Sequence, residues 1–321
     1  MRTNLTFILL ILITWFSCGN IITDTDQIDY RQEMRTFVQS ISEHAKKQDP
    51  NFMIIPQNGH ELVLKKGLVA KNYLSAIDGL AQENLFFGYI EDDQPTPVTA
   101  TNNMLKLLNI GQEAGKTIMV TDYCSTTYKM NQSYVQNEAI GYISFAAPDR
   151  NLTVIPTVPS PIHNVNNQSV EQLSDARNFL YLLNKSEFDS KMDFISAIQS
   201  TNYDVLITDA FYDEEIFTPQ EVEQLRQKAN GGQRLVISYM SIGEAEDYRF
   251  YWQESWDEGE PDWLVEENPN WEGNYKVKYW DPDWQEIIVG ADNAYLQKIL
   301  DANFDGVYLD IIDGFQYFEN R

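Results

Sequence analysis

Eight short apolar segments between residues 52 and 313, separated by segments of helical periodicity, constrain the fold of this chain more than any other feature. Several are continuous apolar runs rather than alternating ones, as expected for parallel strands that helices cover. The predicted strands are Phe52–Ile55, a segment within residues 76–90, and the runs KTIMVTDYC, GYISFAA, RNFLYLLN, YDVLITDAF, RLVISYMSIG and DGVYLDIID. Eight strand-and-helix units in about 250 residues fit an α/β fold, the (β/α)8 TIM barrel.

The alternative architecture is an open, doubly wound sheet. No glycine-rich phosphate loop follows any of the predicted strands, which favours the barrel. A content of 43% hydrophobic and 13% aromatic residues is typical of a folded chain rather than a disordered one. Residues 29–321 are therefore predicted to form a single (β/α)8 catalytic domain.

The order of the predicted elements is unusual for a barrel, because a helix within Tyr30–Lys46 comes first and a strand comes last. A barrel normally begins with a strand and ends with a helix. The first helix can serve as the partner of the last strand, so the order predicts a circularly permuted barrel. In such a barrel the strands at 52–56 and 305–311 are neighbours.

Residues 1–18 predict a signal peptide, because Arg2 precedes the apolar run Phe7–Ile13, which is too short to span a bilayer. Ser17-Cys18-Gly19 resembles a lipoprotein cleavage site, so Cys18 is the candidate lipidation site and residues 19–28 form a linker. Plain secretion and an uncleaved anchor are the alternatives. We expect an exported, membrane-anchored lipoprotein in the periplasm or at the cell surface, with membrane contact only through this N-terminal lipid.

The chain is strongly acidic, with 48 Asp and Glu against 23 Lys and Arg and a formal net charge of −25. This charge repels nucleic acid and anionic lipid, so no nucleic-acid partner is expected, whereas a polycation is attracted. The simpler interpretation is that the charge keeps an exported protein soluble.

Acidic residues stand at the predicted carboxyl ends of several strands, where TIM barrels carry their catalytic groups. Asp310 ends the last strand. The second strand leaves two registers open: it ends near Glu83, or its apolar run Leu85–Ile90 is the strand and Glu91 follows it. Periodicity alone favours Glu91.

Other enzyme classes lack their motifs. The three histidines have no HExxH spacing and no GxSxG sequence is present, so no cofactor is expected. A carboxylate site for Mg²⁺ or Ca²⁺ at Asp310 and Asp313 is the remaining metal alternative.

Five stretches of the chain together resemble the bacterial and archaeal branch of glycoside hydrolase family 114, the endo-α-1,4-polygalactosaminidase-like proteins. They are NFMIIPQNGHEL, DVLITDAFYDEEIFTPQEVEQLR, ISYMSIGEAEDYRFYW, PDWLVEENPNWEGNYKVKYWDPDWQEII and FDGVYLDIIDGFQYF. The resemblance implies a (β/α)8 barrel that cleaves α-1,4-linked galactosamine polymers, with the catalytic aspartate at Asp310 and the catalytic glutamate at Glu83. In that family the IIPQNG strand follows the GVYLDIID strand, whereas here it precedes it, so the resemblance also implies circular permutation.

Further polar residues at the predicted rim are candidate substrate-binding groups: Asp209, Glu244, Asn58, Tyr123 and Asp313. Asp209 and Glu244 have an alternative interpretation as partners of Arg249 or as loop caps, and Asn58 as a turn residue. Six tryptophans between Trp252 and Trp284 either contact sugar faces or form the core of their own loop. The competing function is a surface lipoprotein that binds a glycan on the same barrel without cleaving it.

Overall fold

The computed structural model describes residues 28–321, so the predicted signal peptide, Cys18 and nearly all of the predicted linker lie outside the described residues. Eight strands in this part of the chain run parallel to their paired neighbours. They are β1 Met53–Pro56, β2 Gly79–Glu83, β3 Thr117–Tyr123, β4 Ile143–Ala147, β5 Phe179–Tyr181, β6 Val205–Asp209, β7 Leu235–Ser241 and β8 Gly306–Asp310.

These strands form two hydrogen-bonded sheets, one with the order β5-β6-β7-β8-β1 and one with the order β2-β3-β4. An isolated parallel bridge between Gln57 and Ala81 connects β1 to β2. Strands β4 and β5 lie side by side, with the rings of Phe145 and Phe179 5.9 Å apart, but no strand ladder within residues 28–321 joins them. The predicted α/β fold with parallel strands is confirmed, whereas a fully hydrogen-bonded closed barrel is not observed.

An α-helix lies between most consecutive parallel strands, but the connection from β4 to β5 contains only a short helical turn at Leu173–Asp175. The helices are α1 Tyr30–Gln48, α2 Lys71–Ala76, α3 Val98–Glu113, α4 Thr127–Ala139, α5 Lys191–Gln199, α6 Pro219–Arg226, α7 Pro282–Gln285, α8 Tyr295–Asp301 and α9 Phe315–Glu319. Across residues 28–321, none of the helices combines the length and the apolar character that a bilayer crossing requires.

Shorter elements complete the structure. Tight helical turns cover His60–Val63, Leu173–Asp175 and Ile312–Gly314, and a π-helical turn covers Glu286–Gly290. Two small hairpins pair Leu64–Lys65 with Leu68–Val69 and Phe211–Tyr212 with Glu215–Ile216. After β7, a three-stranded antiparallel sheet is formed by Glu244–Glu246, Asn274–Val277 and Leu264–Glu267.

Helix α1 starts where the sequence predicts, because the Asp29 side chain accepts a hydrogen bond from the Gln32 N–H at 3.0 Å. Its apolar stripe, which includes Phe37 and Ile41, is fully buried. Strand β1 pairs in parallel with β8, with Met53 opposite Gly306. The predicted adjacency of the strands at 52–56 and 305–311 is therefore confirmed.

The sequence TPQE at 218–221 predicts the start of a helix and the glycine pair at 231–232 predicts its end, and helix α6 has that start but not that end. Thr218 and Glu221 form a capping box and Pro219 occupies the first helical position. The helix ends at Arg226 and does not reach the glycine pair at 231–232, because the Arg226 carbonyl oxygen accepts a hydrogen bond from the Arg234 N–H at 2.9 Å. The last carbonyl group of α6 is thus satisfied by the residue before β7, and no glycine is needed to end the helix.

The apolar spacing after Asp281-Pro282 predicts one helix, but the structure has two. Asp281 caps α7 as expected, since its side chain accepts from the Asp283 N–H at 3.0 Å. A π-helical turn follows α7, and Ala291 takes an extended conformation that separates α7 from α8. The apolar spacing continues across this break, so periodicity alone predicts one continuous helix where the structure has two.

Two smaller predictions also fail. The helical spacing of Phe188, Met192, Ile195 and Ile198 predicts Met192 on the buried face of α5, but Met192 is exposed and Phe194 is buried there instead. The last element of residues 28–321 is α9 rather than a strand, because the chain leaves β8 at Asp310 and turns into a short helix.

An ion pair is buried at the amino end of β6. Lys228 Nζ lies 2.8 Å from Asp204 Oδ1, and neither side chain is exposed to solvent. Asp204 also accepts hydrogen bonds from Asn166 Nδ2 at 2.9 Å and from the Arg177 N–H at 2.8 Å. A satisfied charge pair therefore connects the segment before β5, the start of β6 and the segment after α6.

Candidate active site

A cavity of about 540 Å³ lies at the carboxyl ends of the strands. All parallel strands of a barrel-like sheet end at the same rim, so side chains that follow different strands meet there. The cavity is lined by all seven residues predicted to bind or transform a substrate: Asp310, Glu83, Asp209, Glu244, Asn58, Tyr123 and Asp313.

Asp310 is held at the end of β8 by two side-chain donors. Gln57 Nε2 donates to Oδ1 at 2.8 Å, and the Tyr239 hydroxyl donates to Oδ2 at 2.8 Å. The Tyr308 hydroxyl donates to Gln57 Oε1 at 2.6 Å, which orients the amide group of Gln57 toward Asp310. Burial, followed by the charge of Glu83, raises the pKa of Asp310 to about 6.

Glu83 is held at the end of β2 in a similar way. The Tyr123 hydroxyl donates to Oε1 at 2.5 Å, and Asn58 Nδ2 donates to Oε2 at 3.0 Å. Asn58 Oδ1 accepts from the Glu83 N–H at 3.2 Å, which fixes the orientation of the Asn58 side-chain amide. Asn58 also has a left-handed backbone with φ of 59°, so it is a turn residue as well as a donor.

The second strand ends at Glu83, and the run Leu85–Ile90 forms no strand. This run is apolar for a different reason: Leu85 belongs to the core, and the N–H groups of Phe86 and Phe87 donate to the buried carboxylate of Asp122. Glu91 is exposed and does not line the cavity. Of the two registers that the sequence leaves open, the structure has the one with Glu83 at the rim.

Asp313 faces the same cavity because the chain turns sharply after β8. Ile311 takes a left-handed conformation with φ of 57°, and a Cβ atom at Gly243 would overlap the Ile311 carbonyl oxygen. Burial, together with the charges of Asp310 and Glu83, raises the pKa of Asp313 to about 7. Three carboxyl groups thus share one end of the cavity.

The metal alternative placed an ion at Asp310 and Asp313. Residues 28–321 contain no group of three or more His, Cys, Asp or Glu side chains that is placed to hold a metal ion. The carboxyl groups of Asp310 and Glu83 accept hydrogen bonds from tyrosine hydroxyl and amide donors.

Asp209 and Glu244 differ in their partners. Arg249 Nη1 lies 2.7 Å from Asp209 Oδ2, so the alternative interpretation of Asp209 as an ion-pair partner is observed. The other partner of Arg249 is Glu246, not Glu244. Glu244 is 3% exposed, burial raises its pKa, and its Oε1 accepts from Asn268 Nδ2 at 2.9 Å.

Several functional candidates were missed from the sequence. Gln57 follows β1 directly, and Tyr239 and Tyr308 lie inside strands β7 and β8, whose other residues are mostly apolar. A tyrosine inside an otherwise aliphatic strand is a usable signal, because a buried hydroxyl needs a hydrogen-bond partner. Arg150 lies after β4 with its guanidinium 3.9 Å from the centre of the Tyr123 ring, and no sequence pattern indicates that contact.

The tryptophans after β7 divide between buried and exposed positions. Trp263 and Trp284 are buried, and Trp284 Nε1 donates to the Ile242 carbonyl at 2.9 Å. Trp271 is 50% exposed and lines the cavity. One indole is therefore available to a ligand, while others build the loop that presents it.

Two further cavities adjoin the central one along the rim. A cavity of about 840 Å³ shares Asp209, Tyr248 and Arg249 with it, and a cavity of about 350 Å³ on the other side shares Glu83 and Asp313. The three cavities form a groove, with the carboxyl groups of Asp310 and Glu83 in its central part.

Comparisons with known proteins each cover less than half of the chain. An uncharacterized protein of Deinococcus radiodurans is 41% identical over 127 residues, which are 40% of this chain and 39% of that protein. An uncharacterized protein of Methanocaldococcus jannaschii is 38% identical over 158 residues, which cover 45% of this chain and 43% of that protein. An uncharacterized protein of Thermotoga maritima is 40% identical over 121 residues, which cover 38% of this chain and 36% of that protein. The chain thus spans about two fifths of the length of the curated relatives it matches.

The matched family accounts for four of the eight strands. Residues 164–321 match glycoside-hydrolase family GH114, and this range contains β5 to β8 with Asp209, Glu244, Asp310 and Asp313. Glu83, Asn58 and Tyr123 precede the matched range but line the same cavity. Over residues 164–321, the chain belongs to glycoside-hydrolase family GH114.

Proposed function

We propose that this protein is a glycoside hydrolase that cleaves an α-1,4-linked, galactosamine-type cationic polysaccharide with the carboxyl pair Asp310 and Glu83. The observation that carries the proposal is the arrangement of these two groups. They end strands β8 and β2, which flank β1, and each carboxyl group is held by two side-chain donors in one cavity. Fixed carboxyl groups of this kind can act on both sides of a glycosidic bond.

The chemistry divides between the two groups. One protonated carboxyl donates to the leaving oxygen, and the other carboxylate attacks the sugar carbon or activates water. A group that titrates near the working pH transfers protons well, and the pKa of Asp310, raised to about 6, meets that requirement. Tyr239, Gln57, Tyr123 and Asn58 position the pair through the hydrogen bonds described above.

The groove supports cleavage within a polymer rather than at its end. The carboxyl pair has an adjoining cavity on each side, so sugar units on both sides of the scissile bond can be accommodated. Exposed aromatic rings, among them Trp271 and Tyr248, line this groove and suit the apolar faces of sugars.

The underlying architecture is proposed to be a circularly permuted (β/α)8 barrel. The family match begins at residue 164, and the strand with Glu83 comes earlier in this chain. The pairing of β1 with β8 and the contact between β4 and β5 support a ring of eight strands.

The decisive experiment is incubation of the purified protein with de-N-acetylated galactosaminan, followed by measurement of new reducing ends. New ends that accumulate with enzyme and time would support hydrolysis. Binding without new ends would favour the competing function, a glycan-binding surface lipoprotein.

A cationic polymer is expected to bind more tightly than its fully N-acetylated form. The larger arm of the groove is lined by Asp189, Asp213, Asp247 and Glu254, within a chain of net charge −25. The preference should weaken at 1 M salt, where the Debye length falls to about 3 Å. Affinity for both polymers at low and high salt measures it.

Matched variants test whether the groove is responsible for this preference. Asp213→Asn, on the groove wall, should reduce the preference, and Glu113→Gln, at the exposed end of α3, should not. Equal affinity of the parent for both polymers would contradict the charge argument.

Removing Asp313 is expected to change how stability depends on pH. The folded protein holds the Asp313 proton up to about pH 7, whereas the unfolded chain releases it near about pH 4. Between these values the folded state binds more protons, so the stability contribution of this group falls as pH rises. Relative to the parent, Asp313→Asn should therefore gain free energy of unfolding between about pH 4 and about pH 7. Urea unfolding of both proteins measures this difference, and parallel pH curves would refute it.

A further inference from the structure

A small hairpin between β1 and α2 exposes apolar side chains to solvent. We name residues 64–71 the basic hairpin. Leu68 is 75% exposed and Val69 is 46% exposed, although most other aliphatic side chains of this region are buried. Exposed neighbouring apolar side chains at a loop tip are typical of contact surfaces.

The charge of the basic hairpin is opposite to that of the chain. Lys65, Lys66 and Lys71 are exposed, and none of them lies within 4 Å of a carboxylate of residues 28–321. Three uncompensated lysines around two exposed apolar residues contrast with the net charge of −25 for the whole chain. A partner with negative charge and an apolar layer fits this tip, and the acidic remainder of the domain repels the same partner.

The position of the basic hairpin leaves the groove accessible. None of residues 64–71 lines any of the three groove cavities. A surface depression instead joins Lys66 and Gly67 to Asp29 and Arg31 at the start of α1. Asp29 follows the predicted linker and the candidate lipidation site Cys18 in the sequence, so the hairpin lies beside the first residues that the structure describes.

We propose that the basic hairpin docks on an anionic phospholipid surface, with Leu68 and Val69 at headgroup depth and the three lysines against lipid phosphates. Apolar side chains combined with basic residues are the combination that binds at such interfaces. Each lysine near an anionic leaflet strengthens binding on the order of fivefold at physiological salt. The contact would fix the orientation of the domain while substrate enters the groove.

The test uses the full chain reconstituted into vesicles of phosphatidylcholine, with or without phosphatidylglycerol. Leu68→Cys is labelled with a water-soluble maleimide, and Met192→Cys, on the exposed surface of α5, is the matched control. The parent protein gives the background labelling of Cys18, and Cys124 is buried. Labelling of the Leu68→Cys protein should be at least several-fold slower in anionic vesicles and should recover at 1 M salt, while the Met192→Cys protein reacts equally in both.

A second set of variants separates charge from simple crowding at the membrane. Adding Lys65→Gln, Lys66→Gln and Lys71→Gln to Leu68→Cys should restore fast labelling in anionic vesicles. Adding Lys47→Gln and Lys106→Gln, two exposed lysines elsewhere, should leave the protection intact. Equal labelling of the Leu68→Cys protein in both vesicles, protection at both cysteine positions, or protection that survives the triple change would each overturn the proposal.

Discussion

Asp310→Asn and Glu83→Gln are each expected to abolish most glycoside turnover while leaving the protein folded. Each change keeps the shape of the side chain but removes the charge or the transferable proton. Positioned proton transfer contributes about 10² to 10⁴-fold to a rate, and loss of a nucleophile can cost more. Reducing-end release per folded molecule, with folding checked by circular dichroism, measures the effect.

The hydrogen bonds around each group explain why folding should survive. An amide oxygen at position 310 can still accept from Gln57 Nε2, and an amide at position 83 retains an acceptor for the Tyr123 hydroxyl. Because the two carboxyl groups act as a unit, the double variant should be little worse than the poorer single variant. Strictly additive losses would mean that the groups do not act in the same step.

Glu91→Gln is the control for the second carboxyl group. Glu91 is exposed and lies outside the cavity, so its substitution should leave turnover unchanged. If Glu91→Gln abolishes activity while Glu83→Gln remains active and folded, the assignment of Glu83 is wrong.

Of the variants described, Lys228→Met is expected to lose the most free energy of unfolding. The change leaves the Asp204 carboxylate buried, with hydrogen bonds from Asn166 and Arg177 but without its cation. Removing one partner of a buried ion pair typically costs about 3–5 kcal/mol. Urea unfolding should show this as a lower midpoint. Turnover per folded molecule should be unaffected, because the pair lies at the amino end of β6 and away from the rim.

Two further variants distinguish this explanation from a general effect of losing a lysine. Lys47→Met removes the partner of Glu43 in an exposed pair on α1, which should leave the unfolding midpoint almost unchanged because solvent screens exposed ion pairs. Combining Lys228→Met with Asp204→Leu should recover much of the lost stability, because no unpaired charge then remains buried. A loss for Lys228→Met no larger than that for Lys47→Met would contradict the role of the pair.

The eight strands could be predicted because their burial on both faces leaves a strong apolar signal. Strands β7 and β8 lie within the predicted segments, β1 ends one residue beyond its predicted segment, and Asp310 stands at the predicted strand end. Because parallel strands share one rim, the site residues that follow them could be expected to meet, and all seven line one cavity.

The register of β2 could not be predicted from periodicity. The run Leu85–Ile90 is more apolar than the strand itself, but only the Leu85 and Phe87 side chains are buried, and the backbone N–H groups of Phe86 and Phe87 donate to the buried carboxylate of Asp122. Apolar residues that are buried outside the sheet give the same sequence pattern as a buried strand. The family resemblance favoured Glu83 because it depends on the motif rather than on hydrophobicity.

The supporting groups of the site were also beyond local sequence patterns. Gln57 acts on Asp310 at a separation of 253 residues, and Arg150 reaches Tyr123 from the connection after β4. Partners that are distant in the chain are set by the strand order. A pattern confined to one segment carries no information about them.

The turn after β8 restricts how this protein can change in evolution. A β-branched residue in a left-handed conformation, such as Ile311, is strained by on the order of 1–3 kcal/mol, and glycine would relieve that strain. Selection for stability alone would favour glycine at 311, whereas selection for a fixed angle between Asp310 and Asp313 favours a rigid side chain packed against Gly243. Any side chain at 243 would displace the Ile311 backbone, so positions 243 and 311 can diverge only as a coupled pair.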